Sequence, residues 1–214
     1  MDFLSPNITA YADAHTSPES ELLSRLNRNT RAHIMAPRML SGHVQGRFLS
    51  MISWMIRPQL ILEIGTYTGY SALCLAEGLT DTGKLITIDQ NEELEDFARS
   101  YWQQSPLNGK IDFRLGVATD ILPTLHETFD LVFIDADKRN LSVYFDLIID
   151  KVRPGGFILA DNVLWSGKVV EPVKSSDLDT LSVLAFNQKV HNDPRVENVL
   201  LPVRDGIMML RKRN

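Results

Sequence analysis

Residues 60–71, LILEIGTYTGYS, constrain the chain more than any other stretch, because they change midway from an apolar run into a glycine-bearing turn. Leu60, Ile61, Leu62 and Ile64 suit a strand covered on both faces, and SALCLAEGL after them has the composition of a packed helix. Strand, loop and helix make half of a βαβ unit. Its loop lies at the carboxyl end of the strand, where Gly65 lets backbone approach a ligand and Gly69 permits tight packing at the helix start. Nucleotides commonly sit there. Glu63 is the anomaly, since a carboxylate inside an apolar strand is costly unless it meets a donor or a cation.

At 214 residues the chain suits one α/β domain, 1–214. Residues 1–57 would form an N-terminal arm and helices covering the active site, and 58–214 the core. A formal charge of -5 without a basic cluster argues against nucleic acid as a partner. The single cysteine, Cys74, excludes an internal disulfide and suits a reducing cytoplasm; as part of an apolar helix it reads as core. No run of about 18 apolar residues or basic leader is present, so a membrane-spanning or secreted protein is not expected.

Residues 1–18 read as an irregular arm. SPESE then looks like a helix start, with Ser17 capping and Pro18 in the first turn, and the helix runs to about Ala32. A second helix over 42–56 places Val44, Phe48, Leu49, Ile52 and Met55 on one face and ends before Pro58. From Leu60 onward strands and helices alternate, the mark of a mostly parallel, doubly wound sheet with helices on both faces. Strands are expected near 60–64, 84–89, 111–115, 129–135, 156–161, 196–202 and 206–211. Helices are expected near 70–79, 91–104, 118–125, 140–152 and 175–191. The last two strands are too close for a crossover helix and must form an antiparallel hairpin.

The second strand, KLITID, ends at Asp89, placed to accept hydrogen bonds from ribose hydroxyls. The turn G-T-Y-T-G is neither a dinucleotide fingerprint nor a phosphate loop, and no lysine is present to hold phosphates. A nucleoside without phosphates, carrying a positive charge for Glu63, suits it better; S-adenosylmethionine has both properties. The fourth strand delivers Asp135, Asp137 and Lys138, and the fifth Asp161 and Asn162. Asp135, Asp161 and Asn162 offer only hard oxygen ligands, which favours Mg²⁺ or a similar ion over zinc. Near such an ion the Lys138 ammonium is destabilised, so Lys138 could take a proton from an acidified hydroxyl. Asp137 either supports the ligands from behind or faces solvent. Trp165 either walls a planar substrate or anchors its loop, and Tyr67 and Tyr70, flanking the glycine turn, carry the same two readings.

Together E-I-G-x-Y-x-G-Y-S, I-D-A-D-K and A-D-N-V-L-W-S-G resemble the cation-dependent class I O-methyltransferases, the group containing catechol and caffeoyl-CoA O-methyltransferases, and among them the bacterial members most. P-R-M-L-S-G and the closing L-P-V-x-D-G extend the match over most of the chain. The resemblance implies a Rossmann-like sheet of seven strands in the order 3-2-1-4-5-7-6 with the last strand antiparallel. It implies an S-adenosylmethionine pocket lined by Ser41, Glu63, Gly65, Thr66, Ser71, Asp89, Ala118 and Asp135, with Glu63 and Ser71 at the methionine end, Asp89 at the ribose and Ala118 at the adenine. It implies Asp135, Asp161 and Asn162 as ligands to Mg²⁺ (or Ca²⁺ or Mn²⁺), Lys138 as general base acting with Asp135, and Met39 and Trp165 at the substrate. Met39 and Ser41 belong to a loop such enzymes close over donor and acceptor, and members are commonly homodimers. The chain departs from the pattern at Leu141, where relatives usually carry tyrosine.

The expected activity is methyl transfer from S-adenosylmethionine to one hydroxyl of a vicinal dihydroxy-aromatic, a small-molecule phenolic acceptor. Three rivals are weighed against it. A nicotinamide-dependent oxidoreductase is disfavoured by the turn, and a nucleic-acid base methyltransferase by D-A-D-K in place of an N/D-P-P-Y-like sequence. A non-catalytic S-adenosylmethionine-binding module is disfavoured by the intact Asp135, Lys138, Asp161 and Asn162.

Overall fold

A computed structural model describes residues 5–214. Its seven strands are β1 (Leu60–Ile64), β2 (Lys84–Asp89), β3 (Ile111–Leu115), β4 (Phe129–Ile134), β5 (Val152–Asp161), β6 (Val196–Leu201) and β7 (Ile207–Lys212). They lie in the order β3-β2-β1-β4-β5-β7-β6, the order the family resemblance implies. The contacts gather into two compact units, Pro6–Val117 and Ala118–Asn214.

In Pro6–Val117, β1 pairs in parallel with β2, and β2 with β3. The strand interiors are apolar: Ile61, Leu62, Ile64, Leu85, Ile86 and Ile88 are buried, as a strand covered on both faces requires. The helix after the glycine loop, α4 (Tyr70–Ala76), is buried at every position. The Cys74 thiol is enclosed there, and burial pushes its pKa up to about 12, so it is core as expected.

The N-terminal elements correct three expectations. Residues 6–14 are not irregular but form α1 (Pro6–Ala14), which buries no residue. A helix without an apolar face leaves no periodic signal, although Pro6 stands at its first position. The next helix, α2 (Glu21–His33), begins later than expected, with Ser20 as its cap, accepting from the Leu23 N–H at 3.3 Å. The third, α3 (Gly42–Ile56), has the expected bounds, but its buried side is Gln45, Gly46, Leu49, Ser50 and Ser53. Met55 is 77% exposed, and Met51 and Trp54 are exposed beside it. The buried side is small and polar because α4 approaches closely: Ser53 Oγ donates to the Leu75 carbonyl at 2.6 Å, and Ser50 Oγ to Glu77 at 2.5 Å.

In Ala118–Asn214, β4 and β5 are parallel while β7 runs antiparallel to both β5 and β6, so the expected hairpin is present. β5 starts earlier than expected, at Val152, through an irregular register between Phe129 and Leu131. The helices α6 (Ala118–Ile121), α7 (Leu141–Ile148) and α8 (Leu178–Asn192) of this unit, and α5 (Glu95–Trp102) of Pro6–Val117, fall inside the expected ranges, except that α8 runs one residue beyond. Asp177 caps α8, accepting from the Thr180 N–H at 3.2 Å. Among the described residues no helix is long and apolar enough to cross a membrane.

Candidate active site

In Pro6–Val117 the site is the loop between β1 and α4. Register puts Glu63 opposite Thr87, and Glu63 is 0% exposed. Thr87 Oγ1 donates to Glu63 Oε2 at 2.5 Å, and Thr66 Oγ1 lies 2.5 Å from Thr87 Oγ1. A threonine hydroxyl has one proton, so Thr87 spends it on Glu63 and Thr66 donates to Thr87. The strand carboxyl thus meets the donor it needs, and the same relay ties the glycine loop to the sheet. Thr87 was missed by sequence reasoning. Its signal was available: with LILEI and KLITI in phase, the polar residue of each falls opposite the other.

Asp89 continues the scaffold. Its Oδ2 accepts the N–H groups of Thr66 at 2.9 Å and Tyr67 at 2.8 Å, and its Oδ1 accepts that of Asn91 at 2.9 Å. The residue expected to bind ribose therefore also fixes the loop backbone. Gly65 has φ 99, and its N–H joins the Ile88 carbonyl at 2.9 Å. At Gly69, φ is 80 and a Cβ would stand 2.5 Å from the Trp102 ring, whose Nε1 donates to the Gly69 carbonyl at 3.1 Å. The tight packing expected there is thus supplied by Trp102.

Both ambiguous tyrosines are anchors. Tyr67 Oη donates to the Met35 carbonyl at 3.0 Å, and Tyr70 Oη to Glu19 at 2.7 Å. Tyr67 thereby holds the segment leading into the short 3-10 turn Pro37–Met39, where Met39 is exposed. Ser41 and Ser71 are buried, at the starts of α3 and α4.

In Ala118–Asn214 the candidate residues collect at the carboxyl ends of β4 and β5. Register pairs Ile134 with Ala160, so Asp135 and Asp161 come next, side by side. Lys138, 8% exposed, reaches both: its Nζ lies 3.6 Å from Asp135 Oδ1 and donates to the Asp161 carbonyl at 3.2 Å. Burial, then the charge of Asp161, push the Asp135 carboxyl up, against the pull of Lys138 and Arg204. Asp161 Oδ1 accepts the Asn162 N–H at 2.8 Å. Asp137 caps the turn Lys138–Asn140 and accepts from Tyr144 Oη at 2.5 Å. Leu141 is buried, Ala118 is buried at the start of α6, and Trp165 is half-buried with φ 47.

Two neighbouring carboxyl groups, one of them the buried Asp135 whose proton affinity the charge of the other raises, beside an amide, are a fitting set for a hard divalent cation. Among the described residues no three His, Cys, Asp or Glu side chains group for a metal; the expected set has two carboxylates, its third member being an asparagine. Sequence reasoning also assigned no role to Asp205. Its Oδ1 accepts the Ser166 N–H at 2.5 Å, and its carbonyl accepts the Leu164 N–H at 2.9 Å.

Comparison with known proteins gives the family. The O-methyltransferase family model matches residues 13–213. Caffeoyl-CoA O-methyltransferase 2 of Eucalyptus globulus is 38% identical over 205 residues, 91% of this chain and 83% of that protein. The O-methyltransferase of Bacillus cereus, solved in complex with SAH, superposes with a TM-score of 0.89 at 30% identity, covering 97% of each chain. The O-methyltransferase TomG of Streptomyces achromogenes, solved with SAM, gives a TM-score of 0.88 at 27% identity, over 97% of this chain and 96% of that one. On these grounds the chain belongs to the O-methyltransferase family.

Proposed function

We propose that this O-methyltransferase moves the methyl group of S-adenosylmethionine to one hydroxyl of a vicinal dihydroxy-aromatic acceptor, with a divalent cation such as Mg²⁺, Ca²⁺ or Mn²⁺ required. The observation that carries the reading is the convergence of Asp135, Asp161 and the buried Lys138 where β4 and β5 end. On the donor side, Glu63 and Ser71 face the methionine end, Asp89 the ribose and Ala118 the adenine, with Gly65 and Thr66 also lining the pocket. Ser41 and Asp135 complete that lining, and Met39 and Trp165 border the acceptor. SAM or SAH bound to the TomG and Bacillus cereus enzymes supports this donor assignment.

Asp135, Asp161 and Asn162 would hold the cation, whose charge favours the phenolate near neutral pH and orients the two hydroxyls. Lys138 Nζ takes the hydroxyl proton. The acceptor oxygen then forms its bond to the methyl carbon as the carbon–sulfur bond breaks, so most of the acceleration comes from positioning and electrostatics. The caffeoyl-CoA name of the Eucalyptus relative supports a phenolic acceptor. The exposed apolar side of α3 supports a homodimer, and a single buried cysteine supports a cytoplasmic setting.

The test is mass-spectrometric methyl gain on catechol and caffeate, with Mg²⁺ or with a chelator. Activity that needs Mg²⁺ and is lost in Asp161→Ala, with SAH binding retained, is expected. Turnover by Asp161→Ala in chelator would refute the proposal.

A further inference from the structure

The segment that follows the cation-site aspartate of β5 is strained. Asn162, Trp165 and Ser166 have φ of 59, 47 and 55, a left-handed region that costs non-glycine residues about 1–2 kcal/mol each. Such a backbone persists only where its surroundings over-determine it. Here the surroundings are the tip of the β6–β7 hairpin. β5 and β7 pair Asp161 with Ile207, yet the next backbone bonds run from the Val163 N–H to the Gly206 carbonyl at 3.1 Å and from Leu164 to Asp205 at 2.9 Å. The register has advanced by one, so Asn162 is an extra residue, a bulge of the kind that re-aims a side chain. Beyond it, Asp205 Oδ1 takes the Ser166 N–H at 2.5 Å, and a Cβ on Gly206 would stand 2.5 Å from Leu164 Cγ. From the other side Asn187 Nδ2 donates to the Val163 carbonyl at 2.8 Å.

We infer that Asp205 is a positioning residue: by receiving Leu164 on its backbone and Ser166 on its side chain, it holds the Asn162 bulge and the Trp165 turn in the geometry the cation and acceptor require. This rests on the cation site proposed above. Asp205 touches neither cation nor acceptor in this role; it acts through the loop. Its carboxylate oxygen is needed as an acceptor, so asparagine should replace it and alanine should not.

The experiment is Mn²⁺ titration followed by electron paramagnetic resonance, in the full chain with SAH present, for wild type, Asp205→Ala and Asp205→Asn, with SAH affinity measured alongside. Removal of such a supporting partner typically weakens a metal site about 10–100-fold. The expected result is a Kd for Mn²⁺ raised at least about 10-fold in Asp205→Ala, within about 3-fold of wild type in Asp205→Asn, and unchanged SAH affinity in both. Unchanged Mn²⁺ affinity in Asp205→Ala overturns the inference, and so does an asparagine variant as weak as the alanine one. If Asp205→Ala fails to fold, Asp205→Glu, which displaces the acceptor by one methylene, takes its place: the same loss supports the inference and wild-type affinity overturns it. A wild-type chain that binds SAH but no Mn²⁺ removes the cation site itself and, with it, this role for Asp205.

Discussion

Thr87→Val replaces one hydroxyl with a methyl of nearly the same size, so the packing of β2 is kept and only the relay between Thr66 and Glu63 is cut. The Thr66 hydroxyl loses its acceptor, and the Glu63 carboxyl, 0% exposed, loses the 2.5 Å donor that Thr87 supplied. Each buried group deprived of a partner costs about 1–3 kcal/mol, giving a total of about 2–6 kcal/mol for the two. For a chain of this length each kcal/mol moves Tm by about 2–4 °C, so a fall of about 4–24 °C is expected. Because Thr66 also anchors the loop proposed to bind the donor, SAH binding should weaken in parallel, by about tenfold for each 1.4 kcal/mol lost from the bound geometry. Scanning calorimetry and SAH titration measure both. Thr87→Ser keeps the hydroxyl and should retain SAH affinity while losing about 1 kcal/mol of stability for the missing methyl. If the valine variant melts within about 1 °C of wild type and binds SAH equally well, the relay does not support Glu63 as described.

Gly69→Ala forces a side chain to φ 80 and to 2.5 Å from the Trp102 ring; a loss of about 2–4 kcal/mol and an altered near-UV signal are expected, and unchanged denaturant midpoints would contradict the packing. His43 bonds Asp13 Oδ1 through Nδ1 at 2.8 Å and the Ser17 carbonyl through Nε2 at 2.7 Å, and two acceptors require both ring nitrogens to carry protons. Its pKa is raised although burial opposes charge, because the Ser17 carbonyl, Asp13 and Glu19 outweigh it. A raised folded pKa gives stability that is full below the unfolded value of about 6.5 and is lost as pH rises through the folded value. The Tm difference between wild type and His43→Gln should therefore be larger at low pH than above neutrality, and an equal difference at both ends would refute the protonated clasp.

The sheet was legible because its evidence is local. LILEI, KLITID and IDFRL each carry their own apolar pattern, and their bounds in the structure are those read from the sequence. The adjacency of Asp135 and Asp161 was legible for the same reason, as oxygen-bearing residues that follow apolar runs. What escaped reading depends on partners distant in sequence. α1 buries nothing, so its formation left no stripe to detect. In α3, the larger apolar residues suggested the inner face, whereas close approach to α4 selects Gly46, Ser50 and Ser53 instead. Thr87 and Asp205 act across 24 and 39 residues of chain, through a strand register and a hairpin tip that no local pattern specifies.

The central claim concerns one cation and the three side chains assigned to it. A crystal structure of the chain with Mg²⁺ and SAH tests it most directly. The account predicts density for an octahedral ion, with oxygens of Asp135, Asp161 and Asn162 each at about 2.0–2.1 Å. Donor density together with Asp135, Asp161 and Asn162 turned apart, and no ion between them at saturating Mg²⁺, would contradict it.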